Sequence, residues 1–243
     1  MPAAAFHFAV EQARDKRHLP AMTVQPQAKI GAILASIGQV IRQNAAAAAL
    51  VMAGLTAVGS FADSMMARDG GEATGGALQL GVGFATIFAL YWLTHVMLES
   101  QGLRDPGVPR RMVSYFGQAI VISLAVIIGL LVLIVPGLIL AARWSLAQPL
   151  LIGRGAGAMD ALGESWRMTA GSTLAIIVAG VVVFGGWIAI GIGMALLIGE
   201  EGLASIVMLQ IISNAVNVLS VAFVVALFGL LAPAREQFGD VFG

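Results

Sequence analysis

Arg143 is the residue whose type and position most strongly suggest chemistry. It lies near the centre of Gly137–Ile152, a segment of sixteen residues that is otherwise almost entirely apolar. A charged side chain inside a membrane costs about 3 kcal/mol or more without a partner, so it is usually paired or functional. In a segment this short, Arg143 could also extend towards the membrane surface. The sequence therefore predicts either a structural pairing or a functional role for this arginine.

The last long apolar segment carries a polar face that supplies candidate partners for Arg143. Its members recur at helical spacing: Gln210, Ser213, Asn214, Asn217 and Ser220. At 1.5 Å per helical residue, Arg143 and Asn214 differ in depth by about 7 Å, a distance that an extended arginine spans. We therefore expect Arg143 to donate to Asn214, to Asn217 or to backbone carbonyls of that segment. The predicted polar intramembrane site comprises Arg143, Gln210, Asn214 and Asn217. It acts either as a contact between helices or as the lining of a hydrated path.

Three other residues are weaker candidates. His95 and Glu99 lie four apart at the end of an apolar segment. Such a pair either moves protons or binds a metal weakly, or it is an interfacial ion pair of little energetic value. Arg167, like Arg143, would hold phosphate if the chain acted on lipid headgroups. The sequence has no cysteine, three histidines and no metalloprotease, P-loop or serine-hydrolase motif. We therefore predict no catalytic site, no metal site and no cofactor.

The composition around these candidates indicates one class of protein. Hydrophobic residues make up 59% of the 243 residues, charged residues make up 11%, and the mean hydropathy is +0.92. Soluble domains carry about 25% charged residues, so soluble enzymes, disordered chains and coiled coils are excluded. The formal net charge is zero, which gives no indication of a nucleic-acid partner. The predicted fold class is an all-α membrane protein.

Six segments are apolar enough to be predicted as membrane spans, with a turn expected at Pro136-Gly137 between the third and the fourth. Their approximate bounds are 44–61, 76–98, 113–135, 137–152, 172–198 and 203–231. Lysine and arginine flank one set of span ends, whereas aspartate and glutamate flank the other. The positive-inside rule then predicts six crossings in three hairpins, with both termini in the cytoplasm. Alternatively, 137–152 belongs to one bent span, and Arg154 and Arg167 lie outside.

Two amphipathic segments precede membrane hairpins. Apolar residues follow helical spacing over 28–42, and a weaker stripe covers 157–170, so both are predicted to lie as helices in the cytoplasmic interface. Residues 1–27 are predicted to be a mobile cytoplasmic tail, 28–232 a single membrane domain, and 233–243 a short cytoplasmic tail. The chain can be divided into three units, each with a basic cytoplasmic segment followed by two spans. This pattern reflects either an ancestral triplication or the general tendency of cytoplasmic segments before a span to carry positive charge.

Two stretches of the sequence resemble a known family. Val135–Leu150 contains Pro136, Gly137, Arg143 and Pro149, and Ala158–Gly171 contains Ala161, Leu162, Ser165, Trp166, Thr169 and Gly171. This pattern is similar to that of the glycerophosphoryl diester phosphodiesterase membrane-domain family and of related uncharacterised bacterial inner-membrane proteins. The chain departs from the pattern at Gly153-Arg154 and at Ala170. The resemblance implies a multi-span domain of a bacterial inner membrane with undefined activity. It implies no phosphodiester hydrolysis, because the family's soluble enzyme domain has no counterpart here.

Three hypotheses for the function follow. The leading one is a non-catalytic protein that organises or associates with membrane lipids, with other membrane proteins or with further copies of itself. The second is a transporter or channel for a small or lipidic solute, with Arg143 and the Asn214–Asn217 face lining the path. The third is an intramembrane enzyme acting on lipid headgroups. A hydrated cavity that reaches Arg143 would favour transport, whereas a dry, fully packed bundle would favour the first hypothesis.

Overall fold

The computed structural model describes residues 28–69, 72–109, 112–198 and 202–232. The two predicted tails, 1–27 and 233–243, lie outside these ranges. Several charged residues used to predict the topology also lie outside them, namely Arg110, Arg111, Glu200, Glu201 and Arg235.

All regular secondary structure in the described ranges is helical. The elements are α1 (Ile30–Gln43), α2 (Ala45–Asp69), α3 (Glu72–Ser100), α4 (Met112–Val132), α5 (Ile134–Arg143), α6 (Ala147–Arg154), α7 (Ala158–Met168), α8 (Thr173–Gly180), a π-helical turn (Val181–Gly185), α9 (Gly186–Ile198) and α10 (Leu203–Leu231). Helices dominate because a chain in lipid must satisfy its backbone polar groups internally.

Six helical segments of the described chain are long and apolar enough to cross a membrane, which confirms the predicted number of spans. They are Ala45–Ala67, Gly76–Ser100, Met112–Gly129, Ile134–Arg154, Thr173–Met194 and Leu203–Leu231. Large apolar side chains on their outer faces are widely exposed, and Val113, Leu131 and Leu197 are each more than 80% accessible. So much exposed apolar surface is typical of contact with lipid. The chain is a multi-pass membrane protein.

The turn between the third and fourth spans lies three residues earlier than predicted. Leu133 has extended backbone angles, φ −159° and ψ 131°, and α5 begins at Ile134. Pro136 then lies in the first turn of α5, where a helix tolerates proline because that N–H has no partner within the helix. Gly137 is buried against α4, and a Cβ added at Gly129 would lie 3.0 Å from the Gly137 Cα. The Pro-Gly pair thus lies in the first turn of a helix, and Gly137 allows close packing on α4.

The fourth span is two helices rather than one. α5 ends at Arg143, residues 144–146 form a turn, and α6 begins at Ala147. Pro149 lies in the first turn of α6, where a helix tolerates proline. Gly155 ends α6 with φ 66°, a left-handed conformation that glycine adopts without strain.

α10 lies at the centre of the bundle and contacts α1, α2, α3, α6 and α9. The largest fully buried side chains of the core come mainly from α3, α6 and the second half of α10, namely Leu93, Met97, Leu98, Leu150, Leu151, Leu227 and Phe228. α3, α6 and α10 also contact one another, and their side chains belong to one apolar core that includes residues of α1, α2 and α8 as well.

α1 packs against the bundle through one face. Ile33, Ile37 and Val40 are buried, and the helix contacts α8 and α10. The backbone N–H of Ala28 donates to Ser172 Oγ at 2.9 Å, which fixes the start of this region to the turn before α8. The orientation of α1 relative to the membrane remains a prediction from the sequence.

Candidate functional site

The two halves of the family-like motif meet at the break between α5 and α6. Because the helix is interrupted here, the carbonyl of Arg143 and the N–H of Leu146 lack the partners that a continuous helix would provide. Ser165, fully buried on α7, satisfies both groups, because its Oγ donates to the Arg143 carbonyl at 2.7 Å and accepts from the Leu146 N–H at 3.1 Å. Thr169 Oγ1 lies 2.8 Å from the Ser165 carbonyl on its own helix and 3.2 Å from the Arg143 carbonyl, so its one proton bonds mainly within α7. Ser165 therefore fixes α7 to the break.

The Arg143 side chain also contacts α7. Its Nη1 donates to the Trp166 carbonyl at 3.0 Å, and the guanidinium carbon lies 4.9 Å from the centre of the Trp166 ring. This distance is within the range of a cation–π interaction. Arg143 Nε is buried and has no hydrogen-bond partner in the structure. The guanidinium is thus held by one carbonyl and one aromatic ring.

The expected pairing of Arg143 with Asn214 or Asn217 is wrong. The depth estimate gave only the positions of the two residues along their own helices, and the chain is indeed helical from Ile134 to Arg143. It did not give the direction of the side chain. Because α5 packs on α4, α7 and α8, the Arg143 side chain reaches α7 rather than α10. The available sequence signal was the pair of hydroxyl residues Ser165 and Thr169 in the second motif stretch, which lie four residues apart and therefore on one face of a helix.

The polar face of α10 forms a separate cluster with α2 and α3. Gln210 Nε2 donates to Asp63 Oδ2 at 2.7 Å, and Gln79 Nε2 donates to Asp63 Oδ1 at 3.1 Å. Asn214 Nδ2 lies 3.3 Å from Thr56 Oγ1, and Asn217 Nδ2 lies 3.5 Å from Asn214 Oδ1. These bonds cross-link three spans.

Sequence reasoning missed three members of this cluster: Thr56, Asp63 and Gln79. The second helix continues to Asp69, beyond the predicted span end at residue 61, and Asp63 therefore lies within the helix. Asp63 and Gln79 face each other on α2 and α3, which contact each other. The charged and amide residues near predicted span ends were the available signal.

A cavity of about 690 Å³ lies among α4, α5, α8, the π-helical turn and α10. Its walls are mainly apolar, and its polar groups include those of Ser123, Ser145, Gln148 and Ser220. Two irregular stretches line it: Trp144 and Ser145 from the α5–α6 break, and Val181, Phe184 and Gly185 from the π-helical turn. Within membranes, irregular backbone is tolerated where it is buried in protein or lines a cavity, and π-helical turns recur at functional sites.

The weaker candidates occupy peripheral positions. His95 Nδ1 and Glu99 Oε2 are 3.6 Å apart at the end of α3, with Glu99 exposed, which is the geometry of an interfacial pair. Arg167 is exposed, as is Ser213 of the polar face. Within the described ranges, no three histidine, aspartate or glutamate residues come close enough together to hold a metal ion. The remaining motif residues Pro136, Gly137, Pro149 and Gly171 lie at helix starts, at the α4–α5 contact and in the turn after α7.

No family model, no curated protein and no solved structure matches this chain.

Proposed function

We propose that this chain is a non-catalytic, multi-pass protein of a bacterial inner membrane that binds a membrane lipid in the cavity among α4, α5, α8 and α10. The observation that carries the proposal is that two irregular stretches, the α5–α6 break and the π-helical turn, line the same cavity. Its volume of about 690 Å³ falls within the usual range of ligand sites, roughly 300–1,000 Å³.

The chemistry of the lining favours a lipid over a polar solute. Most lining side chains are aliphatic or aromatic, including Ile122, Val126, Leu138, Ile177 and Phe184. An apolar chain gains free energy by filling such a space, whereas a polar solute would lose hydration without sufficient replacement. The few hydroxyl and amide groups, which include those of Ser145 and Gln148, suit the ester or glycerol region of a lipid.

Filling the cavity should remove the lipid. A Cβ at Gly180 would meet only Phe184 and Phe223, both at 3.9 Å, so Gly180→Leu places additional carbons against the cavity without a backbone clash. We expect at least about a tenfold loss of retained lipid, equivalent to about 1.4 kcal/mol of binding free energy. The measurement is mass spectrometry of the lipids that co-purify with the full chain per mole of protein.

Gly186→Leu is the matched control, because Gly186 lies six residues further along, has open space around it and does not line the cavity. It should retain lipid as the parent protein does. Equal lipid retention by the Gly180→Leu and parent proteins would contradict the proposed cavity site.

We further propose three membrane hairpins with both termini in the cytoplasm. Two contacts support the middle hairpin, since the Asp105 N–H donates to the Gly153 carbonyl at 2.8 Å and Val108 lies against Gly155. The loop after α3 and the end of α6 therefore lie together. This proximity favours an even number of crossings between them, formed by α4 and the α5–α6 pair.

Reporter fusions test this topology. Fusions after Gly102 and after Gly157 should both report a cytoplasmic location, because the basic residues of both loops oppose export. A fusion after Asp69 serves as the control and should report the opposite side. A periplasmic signal from the fusion after Gly157 would replace the six-crossing arrangement with one bent span.

A further inference from the structure

We propose that Arg143 and Trp166 form a second lipid site, one that binds the phosphate group of an anionic membrane lipid at the protein surface. This site is independent of the cavity, because neither Arg143 nor Trp166 lines it. The proposal rests on the hydrogen-bonding state of the guanidinium, its charge balance and its surroundings.

The guanidinium has donors left to bind a ligand. An arginine side chain carries five N–H donors. Here one hydrogen bond, from Nη1 to the Trp166 carbonyl, uses one of them, and the Nε donor is buried and cannot reach a ligand outside the protein. The second donor of Nη1 and both donors of Nη2 remain for a ligand. The Trp166 ring holds the guanidinium from one side. Arg143 is thus positioned and yet incompletely bonded.

The charge of Arg143 also lacks an anionic partner in the described part of the chain. The ion pairs found there are His95 with Glu99 and Arg154 with Glu164. Glu164 lies on the same helix as Trp166, but it is engaged with Arg154 at 3.4 Å. A carbonyl and an aromatic ring compensate a full positive charge only partly in an apolar segment, so an external anion would stabilise it.

The surroundings indicate a lipid as the source of that anion. Trp166 is 41% exposed, and Met159, two turns earlier on α7, and Leu174 at the start of α8 are each 75% exposed. An exposed tryptophan on a helix whose same face also carries an exposed apolar side chain, here Met159, is typical of the headgroup level of a membrane. A planar guanidinium binds phosphate oxygens through paired hydrogen bonds. In a zwitterionic lipid, the cation of the headgroup already neutralises part of the phosphate charge, so the guanidinium should prefer a lipid with a net negative charge.

Native mass spectrometry of the detergent-solubilised full chain tests this site. The protein would be titrated separately with phosphatidylglycerol, with phosphatidylcholine and with inorganic phosphate. We expect phosphatidylglycerol to bind more tightly than phosphatidylcholine, and Arg143→Gln to weaken phosphatidylglycerol binding about tenfold, as expected for a lost charged hydrogen bond. Arg143→Lys should lose part of the affinity, because lysine keeps the charge but not the planar pair of donors.

Arg154→Gln is the matched control, since it removes the same charge from a side chain that already has a carboxylate partner. It should leave the preference for phosphatidylglycerol unchanged. Thermal unfolding without added lipid verifies that each variant is folded, and Trp166→Phe, which keeps the backbone carbonyl, gives a second measurement of the site. Unchanged phosphatidylglycerol binding by Arg143→Gln would overturn the proposal. So would tighter binding of inorganic phosphate than of the lipid, because the anion would then come from solution. Gly180→Leu should leave this binding intact, which separates the outcome from that of the cavity site.

Discussion

Replacing Ser165 with alanine should destabilise the protein by about 2–4 kcal/mol, because two backbone groups would be left without hydrogen bonds. Ser165 is fully buried, and its Oγ both donates to the Arg143 carbonyl and accepts from the Leu146 N–H. No water can replace these bonds without entering the contact between α7 and the break. The measurement is the free energy of unfolding in detergent, determined with a chemical denaturant.

Ser145→Ala is the control for this experiment. Ser145 lies at the same break, is only half-buried, and donates to the carbonyl of Ala142 three residues earlier. Such a local bond contributes little, so the change should stay within about 0.5 kcal/mol. Equal losses for Ser145→Ala and Ser165→Ala would show that Ser165 does not hold the break together.

Gly129→Val should separate α4 from α5 and lower stability by about 1–3 kcal/mol, as expected for overpacking. A Cβ at this position would lie 3.0 Å from the Gly137 Cα and 3.3 Å from its backbone nitrogen. Backbone atoms cannot turn aside as a flexible side chain can, so the two helices must move apart. Thermal unfolding of the purified protein measures the loss.

Gly117→Val in the same helix is the matched control. Gly117 is exposed and has nothing within 4 Å of its added Cβ. The same substitution there should leave stability equal or raise it slightly, because it removes a flexible glycine from a helix interior. A similar loss at both positions would mean that valine harms α4 itself, and the close contact with Gly137 would not be the cause.

The two proposed lipid sites should differ in their selectivity for lipid charge. The cavity is lined mainly by apolar side chains and would accept lipids that differ in charge. The Arg143–Trp166 site depends on a guanidinium that has no carboxylate partner and would select a net negative headgroup. Comparing co-purified lipids from Gly180→Leu and Arg143→Gln therefore separates total lipid content from the proportion of anionic lipid.

The sequence by itself determined the class of protein and the number of spans. A run of about 20 apolar residues in lipid must form a helix, because no water is present to satisfy its backbone. The segment from Leu203 to Leu231 was predicted with the bounds that the structure has. The bounds of α2 and of α5 were predicted less accurately. α2 continues to Asp69, because a polar residue does not by itself end a helix. α5 begins before Pro136, because a helix tolerates proline in its first turn.

Only the tertiary structure decided which polar groups meet. The chain turns after Arg143, so the guanidinium contacts Trp166 on α7, and the amides of Gln210 and Asn214 instead reach Asp63 and Thr56 on α2. The depth of a residue along its own helix is a property of the sequence. The direction of its side chain depends on where helices break and how they pack. Each residue is rotated by about 100° around the helix axis from the one before it, so a shift of one residue points a side chain at a different neighbouring helix. The cavity is likewise a property of several helices together, because its lining residues come from segments up to about a hundred positions apart, from Ile122 to Val224.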